Sequence, residues 1–182
     1  MKNFIITIAL VILFAFFQVY HVDANALLRQ QEMLKYATDE AAASASLFYS
    51  TDYFGEGEKI FTDEEALNMA VSTLEHNLDA EAGSTAALKP LDDAYWQKDM
   101  DYTVWLFDDS GKYRKYENKT LTDTDSFDYG YMFTEPTTGY NKLITEPTVI
   151  VTVNAGPAKM RLSFLQDVAD VVETSGYEYL GY

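Results

Sequence analysis

The first 22 residues are apolar almost without interruption, which predicts a helix that crosses a membrane. The run from Phe4 to Tyr20 holds no charged side chain, and Lys2 is the only charged residue before Asp23. About 17 residues lie at the short end of what spans a bilayer core as a helix. Lys2 places the N-terminus in the cytoplasm by the positive-inside rule. Residues 1–22 are therefore predicted to be a single-pass anchor in the cell membrane, with the bulk of the chain outside.

A cleaved signal peptide is the alternative interpretation of the same segment. Ala24, Asn25 and Ala26 satisfy the small-x-small pattern of a cleavage site. The apolar run is longer than the usual hydrophobic region of a signal peptide, and the helical pattern continues across these three residues. We therefore expect an uncleaved anchor, with a secreted domain released after Ala26 as the alternative.

Beyond Asp23 a second pattern predicts that the same helix continues to about Ser50 as an extracytoplasmic stalk, residues 23–50. Apolar and small residues recur at alternating spacings of three and four, which is typical of a helix that packs along one stripe. The small members allow neighbouring backbones to approach closely. The stripe comprises Ala24, Leu27, Gln31, Leu34, Thr38, Ala41, Ala45 and Phe48. It can pack on the chain's own domain or against other subunits, and the pattern leaves both possibilities open.

A Gly-containing break at 53–59 separates the stalk from a second predicted helix at 62–79. Thr62 is a suitable N-cap and Glu65 lies three residues later, which is the pattern of a capping box. Apolar residues recur on one face of the segment, and His76 lies opposite them. We expect His76 to be exposed and the opposite face to be buried, namely Leu67, Ala70, Val71, Leu74 and Leu78.

The segment after this helix predicts a loop and then a β-hairpin. Residues 80–90 combine Gly, Ser and Thr, so they predict a loop. Residues 101–107 are rich in aromatic and β-branched side chains, and a turn at 108–112 leads to a similar segment at 113–118. This pattern predicts two antiparallel strands, with Asp108 and Asp109 as residues that favour the turn.

The C-terminal third contains the strongest strand pattern. Residues 147–153 are apolar on both faces, which predicts a central strand that a helix covers on one side. Residues 158–164 fit a strand or the start of a helix over 164–172 that Gly176 would close, and residues 177–182 fit a short edge strand. We thus expect residues 51–182 to form an extracytoplasmic α+β domain with a small, mostly antiparallel sheet. Its core should include Val149, Val151, Val153, Trp105, Leu67, Val71 and Leu74.

Composition and charge restrict the function. Among 182 residues, 48% are hydrophobic, so a packed core is expected. The net charge of −16 opposes binding to nucleic acid, because phosphate contacts need clustered Lys and Arg. The chain has no Cys, which excludes disulfides and thiol catalysis. We expect no cofactor and no nucleic-acid partner.

One acidic segment could offer carboxylate oxygens to a cation. Asp123, Asp125 and Asp128 lie close together in sequence, and Ca²⁺ prefers such ligands on a tight loop. The spacing is not that of an EF-hand, because Phe127 occupies the third ligand position. We interpret the segment as a solvated acidic loop, with a calcium site as the alternative.

Other catalytic arrangements have less support. His21 lies at the membrane boundary and His76 lies off the packed face, so a Ser–His–Asp site is not expected. Acidic residues around Trp96 could pair two carboxylates for glycoside hydrolysis, but we interpret them as exposed charge. These residues are Asp92, Asp93, Asp99 and Asp101. We therefore expect no enzymatic activity.

The junction between anchor and stalk carries a pattern seen in a known family. Val22 and Asp23 end the apolar run, and the segment LKYATDEAAASA follows at 34–45. Over residues 22–46 the chain resembles the TadE/TadG-like minor pilins of the tight-adherence pilus. A Gly–Glu pair that would mark a prepilin-peptidase site is missing near the start of the apolar run, so the resemblance does not extend to processing. It implies a pilin-like architecture and homo- or hetero-oligomeric pilus or secretion subunits as partners, besides the lipid bilayer.

Two functional hypotheses follow. The first is a membrane-anchored, pilin-like or pseudopilin-like envelope protein that acts through assembly or surface presentation. The second is a membrane-anchored binding or sensing module whose acidic, aromatic loops meet a ligand. The second depends on Tyr residues, which are enriched at interfaces because they offer a large contact area at low entropic cost. The relevant residues are Tyr129, Tyr131, Tyr140, Tyr177, Tyr179 and Tyr182.

Overall fold

The fold is α+β, with a long N-terminal helix followed by a small antiparallel β domain. The computed structural model describes residues 2–83, 86–92, 96–157 and 170–179. The helices are α1 (Lys2–Ala45), α2 (Thr51–Glu56) and α3 (Asp63–Asn77). The strands are β1 (Ala80–Ala82), β2 (Leu88–Pro90), β3 (Asp101–Phe107), β4 (Lys112–Glu117), β5 (Thr120–Ser126), β6 (Tyr131–Thr134), β7 (Asn141–Ile144), β8 (Thr148–Asn154) and β9 (Val172–Glu178).

Helix α1 runs without interruption from the apolar N-terminus into the β domain, as predicted. Its 44 residues make it about 66 Å long at the α-helical rise. It ends at Ala45, a few residues earlier than expected, because Leu47 N–H and Phe48 N–H bond to carbonyls only three residues back. Such bonds tighten the last turn and end the helix.

Five antiparallel strands form the main sheet, in the order β5-β4-β3-β8-β9. Strands β3 and β4 form the predicted hairpin, with Val104 opposite Tyr116. Strand β8 lies between β3 and β9, so the prediction of an interior strand is confirmed. Its pairing sets Val151 opposite Val104, which aligns the apolar residues of both strands on one face.

The sheet separates two clusters of buried side chains. On one face, Val149, Val151 and Val153 pack with α1 and α3. On the other face, Trp105 and Phe107 lie with residues of the hairpin β6–β7. Every residue predicted for the core is buried, although Trp105 faces away from the others. Helices thus cover one side of the sheet and an aromatic hairpin contacts the other.

Two predictions about connecting segments are wrong. The break at 53–59 partly overlaps helix α2, which ends where Gly57 adopts a left-handed conformation with φ of 90°. The predicted loop at 80–90 contains strands β1 and β2, which pair with Ala80 opposite Pro90. All three elements are short, with six residues in α2 and three each in β1 and β2. Local propensity alone does not mark such segments, and contacts with the rest of the fold decide them.

Gly176 lies inside β9 and does not close a helix, which corrects one of the two interpretations of that region. A Cβ atom at this position would lie 2.9 Å from the Tyr140 hydroxyl and 3.1 Å from Ile150 Cγ1. The glycine therefore allows the hairpin β6–β7 to approach the sheet. Strand β9 is an edge strand, but it begins at Val172, earlier than the expected 177–182. The alternatives for 158–169 lie outside the described residues.

Helix α3 agrees with the sequence pattern except at its first turn. It starts after Thr62, its predicted buried face is buried, and His76 is exposed. Among the residues that the structure describes, the Thr62 side chain makes no capping hydrogen bond, so the capping box is not formed. The first turn is instead tied to β4, because Asp63 contacts Arg114 and Tyr116.

Candidate functional site

The N-terminal half of α1 exposes apolar side chains around its circumference. The helix contains an 18-residue window of mean hydropathy 2.3, and none of that window is buried. In the described part of the chain, this is the one helix long and apolar enough to cross a membrane. A helix that is apolar on all sides needs an apolar environment, which lipid or other apolar helices can provide. Its exposed residues include Phe4, Ile5, Leu10, Ile12, Phe14 and Phe17.

Burial begins where the apolar segment ends. Asp23 is 2% exposed and Gln30 is 1% exposed, so the fold covers one face of α1 from Asp23 onward. Ala24 and Ala26 are half-buried inside the same continuous helix. The apolar segment and the β domain are therefore joined by one continuous helix, without a linker.

The predicted packing stripe meets the chain's own domain. Leu34, Thr38, Ala41 and Ala45 are fully buried in it. The remaining members are less buried: Leu27 and Phe48 are partly buried against the same core, and Ala24 is half-buried.

One member of the stripe is wrong. Gln31 is exposed, and its neighbour Gln30 is buried instead. The predicted stripe follows a period of 3.5, which drifts by about 20° per heptad on a straight helix. Helix α1 packs on its own domain with the ordinary α-helical period, so it buries Gln30 and, later in the helix, Ala37 and Ala42.

Hydrogen bonds at the edges of the stripe fix the rotation of α1. The hydroxyl groups of Ser44 and Thr73 lie 2.9 Å apart and join α1 to α3. Glu40 of α1 accepts a hydrogen bond of 2.6 Å from the side chain of Asn77, which also belongs to α3. On the other side, Ser175 of β9 donates to Asp39. These polar contacts leave one particular face of α1 directed away from the domain.

That outward face carries isolated large side chains among charged residues. Leu28, Tyr36 and Leu47 are each more than half exposed. At 100° per residue, Leu28 and Tyr36 lie within an arc of about 80° around the helix axis, and Leu47 lies in the turn that follows the helix. We call this surface the outward face, Leu28–Tyr36–Leu47. The opposite side of α1 is packed in the core, so another chain could contact the outward face without disturbing the core.

The candidate cation ligands do not form the predicted loop. Asp123 and Asp125 lie on the exposed edge strand β5, and Asp128 lies in the segment that follows. Asp123 accepts a hydrogen bond of 2.8 Å from the Tyr113 hydroxyl, and Asp125 accepts one of 2.7 Å from the Ser126 N–H. Among the described residues there is no group of three or more acidic or His side chains that could hold a metal ion.

The acidic residues around Trp96 are dispersed. Asp92, Asp99 and Asp101 are exposed, while Trp96 itself belongs to the buried core next to the helices. Asp93 lies outside the described residues. Asp101 accepts a hydrogen bond of 2.8 Å from the side chain of Asn118, which is a structural contact within the hairpin.

Two features were missed in the sequence. Asp108 forms the predicted turn, because its carboxylate accepts a hydrogen bond of 3.1 Å from the Ser110 N–H, but it is also fully buried and bonded to Arg114. The second feature is a cleft beside the hairpin β6–β7, lined by residues from four strands. The cleft was missed because its residues come from strands that are distant in sequence. The burial of Asp108 was missed because the chain contains many similar Asp residues.

Comparisons of the chain with family models, with curated proteins and with solved structures find no match. The likeness to TadE/TadG-like minor pilins thus remains a resemblance over residues 22–46. The functional proposal below rests on the geometry of α1 and its domain.

Proposed function

We propose that this protein is a membrane-anchored, pilin-like or pseudopilin-like envelope protein that acts through assembly or surface presentation. The observation that carries the proposal is the division of α1 into two halves. The first half is apolar and exposed, and the second half, including Leu34, Ala41 and Ala45, lies in the core of the β domain.

A rigid connection between the halves supports assembly more than simple tethering. A tether needs only a flexible linker, whereas α1 enters the domain as one helix with Asp23 already buried. The orientation of the domain is therefore fixed relative to the anchor. Repeated contacts between identical subunits need such a fixed relation, because each interface must recur with the same geometry.

The charge distribution supports a domain outside the cell. Lys2 precedes the apolar run, and the positive-inside rule assigns it to the cytoplasm. The net charge of −16 disfavours close contact with anionic lipid headgroups. Continuity of α1 through Ala24–Ala26 supports an uncleaved anchor, because a peptidase needs this segment in an extended form and the helix is held there by the fold.

Assembly can be tested through the outward face of α1. The chain has no native Cys, so single Cys residues report on one position each. We expect Leu28→Cys and Tyr36→Cys in the full-length protein in native membranes to give disulfide-linked dimers upon oxidation. Ser72→Cys on the exposed side of α3 serves as the control. Equal crosslinking at all three positions, or none at any, would contradict assembly through this face.

Processing is tested separately by intact mass. Protein extracted from the membrane fraction should retain residue 1 or begin close to it. A soluble species that begins at Leu27 would identify the secreted form and remove the anchor from the proposal.

A second candidate is a membrane-anchored binding module. The observation in its favour is the cleft beside β6–β7, which lies on the face of the sheet opposite α1. The two functions are compatible, since a ligand in that cleft would not contact α1.

A further inference from the structure

A cleft of about 210 Å³ lies between the hairpin β6–β7 and the strands β3, β4 and β5. Its lining combines aromatic rings, both signs of charge and a hydroxyl group. The residues that matter are Trp105, Tyr113, Lys115, Asp123, Tyr131 and Thr134. A cleft of this size can hold one ring of a larger molecule.

Aromatic rings form the apolar part of the cleft. The Phe107 ring lies at its base, with the ring centroid of Tyr113 at 5.6 Å and that of Tyr131 at 6.4 Å. Both tyrosine rings are tilted by less than 40° from the Phe107 plane. Tyr131 is 45% exposed, which leaves its ring free to contact a ligand.

Polar groups surround these rings. The Tyr113 hydroxyl donates a hydrogen bond of 2.8 Å to Asp123, whose two carboxylate oxygens can accept further bonds. The Lys115 ammonium lies 5.7 Å from the Trp105 ring centroid and pairs with Glu117. Thr134 adds a hydroxyl that donates to Asn141 at 2.6 Å. The cleft therefore offers donors and acceptors next to aromatic faces.

The charges restrict the class of ligand. A small anion would meet Asp123, and a small cation would meet Lys115, so neither sign is favoured. The net charge of −16 further disfavours polyanions. A pyranose ring is uncharged, presents C–H groups that pack on an aromatic face, and carries hydroxyls that bond to a carboxylate and an ammonium. We propose that this cleft binds one sugar ring of an uncharged glycan.

The inference is independent of the proposed assembly through α1. The cleft and α1 lie on opposite faces of the main sheet, so occupation of one leaves the other accessible. If Leu28 and Tyr36 fail to crosslink, the expectation of glycan binding is unchanged. If no glycan binds, the expectation of crosslinking is unchanged.

The test uses the full-length chain in detergent micelles with three neutral hexasaccharides as probes: a chitin, a cellulose and a maltose oligomer. Binding is measured by calorimetry, and tryptophan fluorescence gives a second signal because Trp105 lines the cleft. We expect saturable binding of at least one probe. Asp123→Asn should weaken it by about tenfold or more, since a hydrogen bond to a charged group is worth roughly 1.5–3 kcal/mol.

Tyr131→Ala should weaken binding to a similar extent through loss of the stacking face. Both side chains are exposed, so circular dichroism should show an intact fold. Tyr36→Ala on the outward face of α1 is the matched control and should bind as the parent does. Absence of binding to all three probes at millimolar concentration would overturn the proposal, as would binding that neither cleft variant reduces.

Discussion

The Asp108 carboxylate is completely buried, and the guanidinium group of Arg114 binds it across the β3–β4 turn. The same carboxylate accepts a hydrogen bond of 3.0 Å from the Phe61 N–H. Arg114 also reaches Asp63 at the start of α3, with 2.9 Å between Nε and Oδ2. Arg114 therefore makes two ion pairs, one within the hairpin and one with the first turn of α3.

We expect Arg114→Leu to destabilise the fold by about 3–5 kcal/mol, because it leaves a buried carboxylate without its counter-charge. The measurement is the free energy of unfolding in urea. Glu81→Gln is the matched control, since it breaks the exposed pair between Glu81 and Lys89, and exposed pairs contribute roughly 0–1 kcal/mol. Equal effects of the two substitutions would show that Asp108 does not depend on Arg114.

Stability should fall in alkaline solution partly because of Tyr113. Burial, together with the hydrogen bond to Asp123, raises the pKa of Tyr113 to about 12. An unfolded chain ionises its tyrosines near pH 10, so the folded state holds this proton more tightly. The contribution is complete below about pH 10 and is lost as pH rises toward about 12. Between pH 9 and 11 the parent should lose more stability than Tyr113→Phe, and equal losses would refute the shift.

Val151→Asp tests the interior position of β8. Val151 is fully buried between α1 and the sheet, opposite Val104. A carboxylate there loses its hydration without a partner, so we expect a loss of several kcal/mol, of order 4 or more. Thr122→Asp on the exposed strand β5 is the control and should change stability little. If both variants melt at the temperature of the parent, the packing described for β8 is incorrect.

Gly176→Val should separate the hairpin β6–β7 from the sheet. The added side chain would enter space held by Tyr140 and Ile150, and overpacking of this kind costs about 1–3 kcal/mol. Gly55→Val in α2 is the control. It makes the same substitution, but a Cβ at Gly55 meets nothing within 4 Å. Thermal unfolding of both variants distinguishes a close-packing role from a general cost of replacing glycine.

The parts of the fold that could be predicted share one property: their residues repeat a pattern over many positions. The apolar run and the stripe of α1 and the period of α3 each identify their element, and the stripe and the period also identify a buried face. The prediction of which α1 residues are buried was less accurate. A stripe with a period of 3.5 includes Gln31, whereas an α-helix that packs on its own domain buries Gln30.

The parts that could not be predicted depend on contacts that no local sequence pattern specifies. Nothing near Gly176 indicates that Tyr140 will lie against it, and a turn Asp looks the same whether or not an Arg will bury it. The cleft is a similar case, because Tyr131, Tyr113 and Asp123 become neighbours only when β4, β5 and β6 meet. Short elements such as β1 and β2 also have too few residues to display a period.

The boundary between stalk and domain provides the last prediction. Residues 51–182 follow α1 in sequence, but they do not contain the whole core. The cluster between the helices and the sheet includes residues from the second half of α1, each 0% exposed: Leu34, Ala37, Ala41, Ala42 and Ala45. A fragment that lacks them would expose Val151, Leu74 and their neighbours to water.

We therefore expect the fragment 23–182 to unfold cooperatively and the fragment 51–182 to lack a cooperative transition. Loss of α1 removes one side of the core, and each large apolar side chain left exposed forfeits about 1.5–3 kcal/mol of burial. The measurements are thermal unfolding by circular dichroism and binding of a hydrophobic dye, which should be strong only for 51–182.

Ala41→Leu in 23–182 should lower the melting temperature by overpacking, whereas Tyr36→Leu at the exposed face should not. A stable, cooperative 51–182 fragment would mean that α1 is an attached stalk and that the domain forms its core without it.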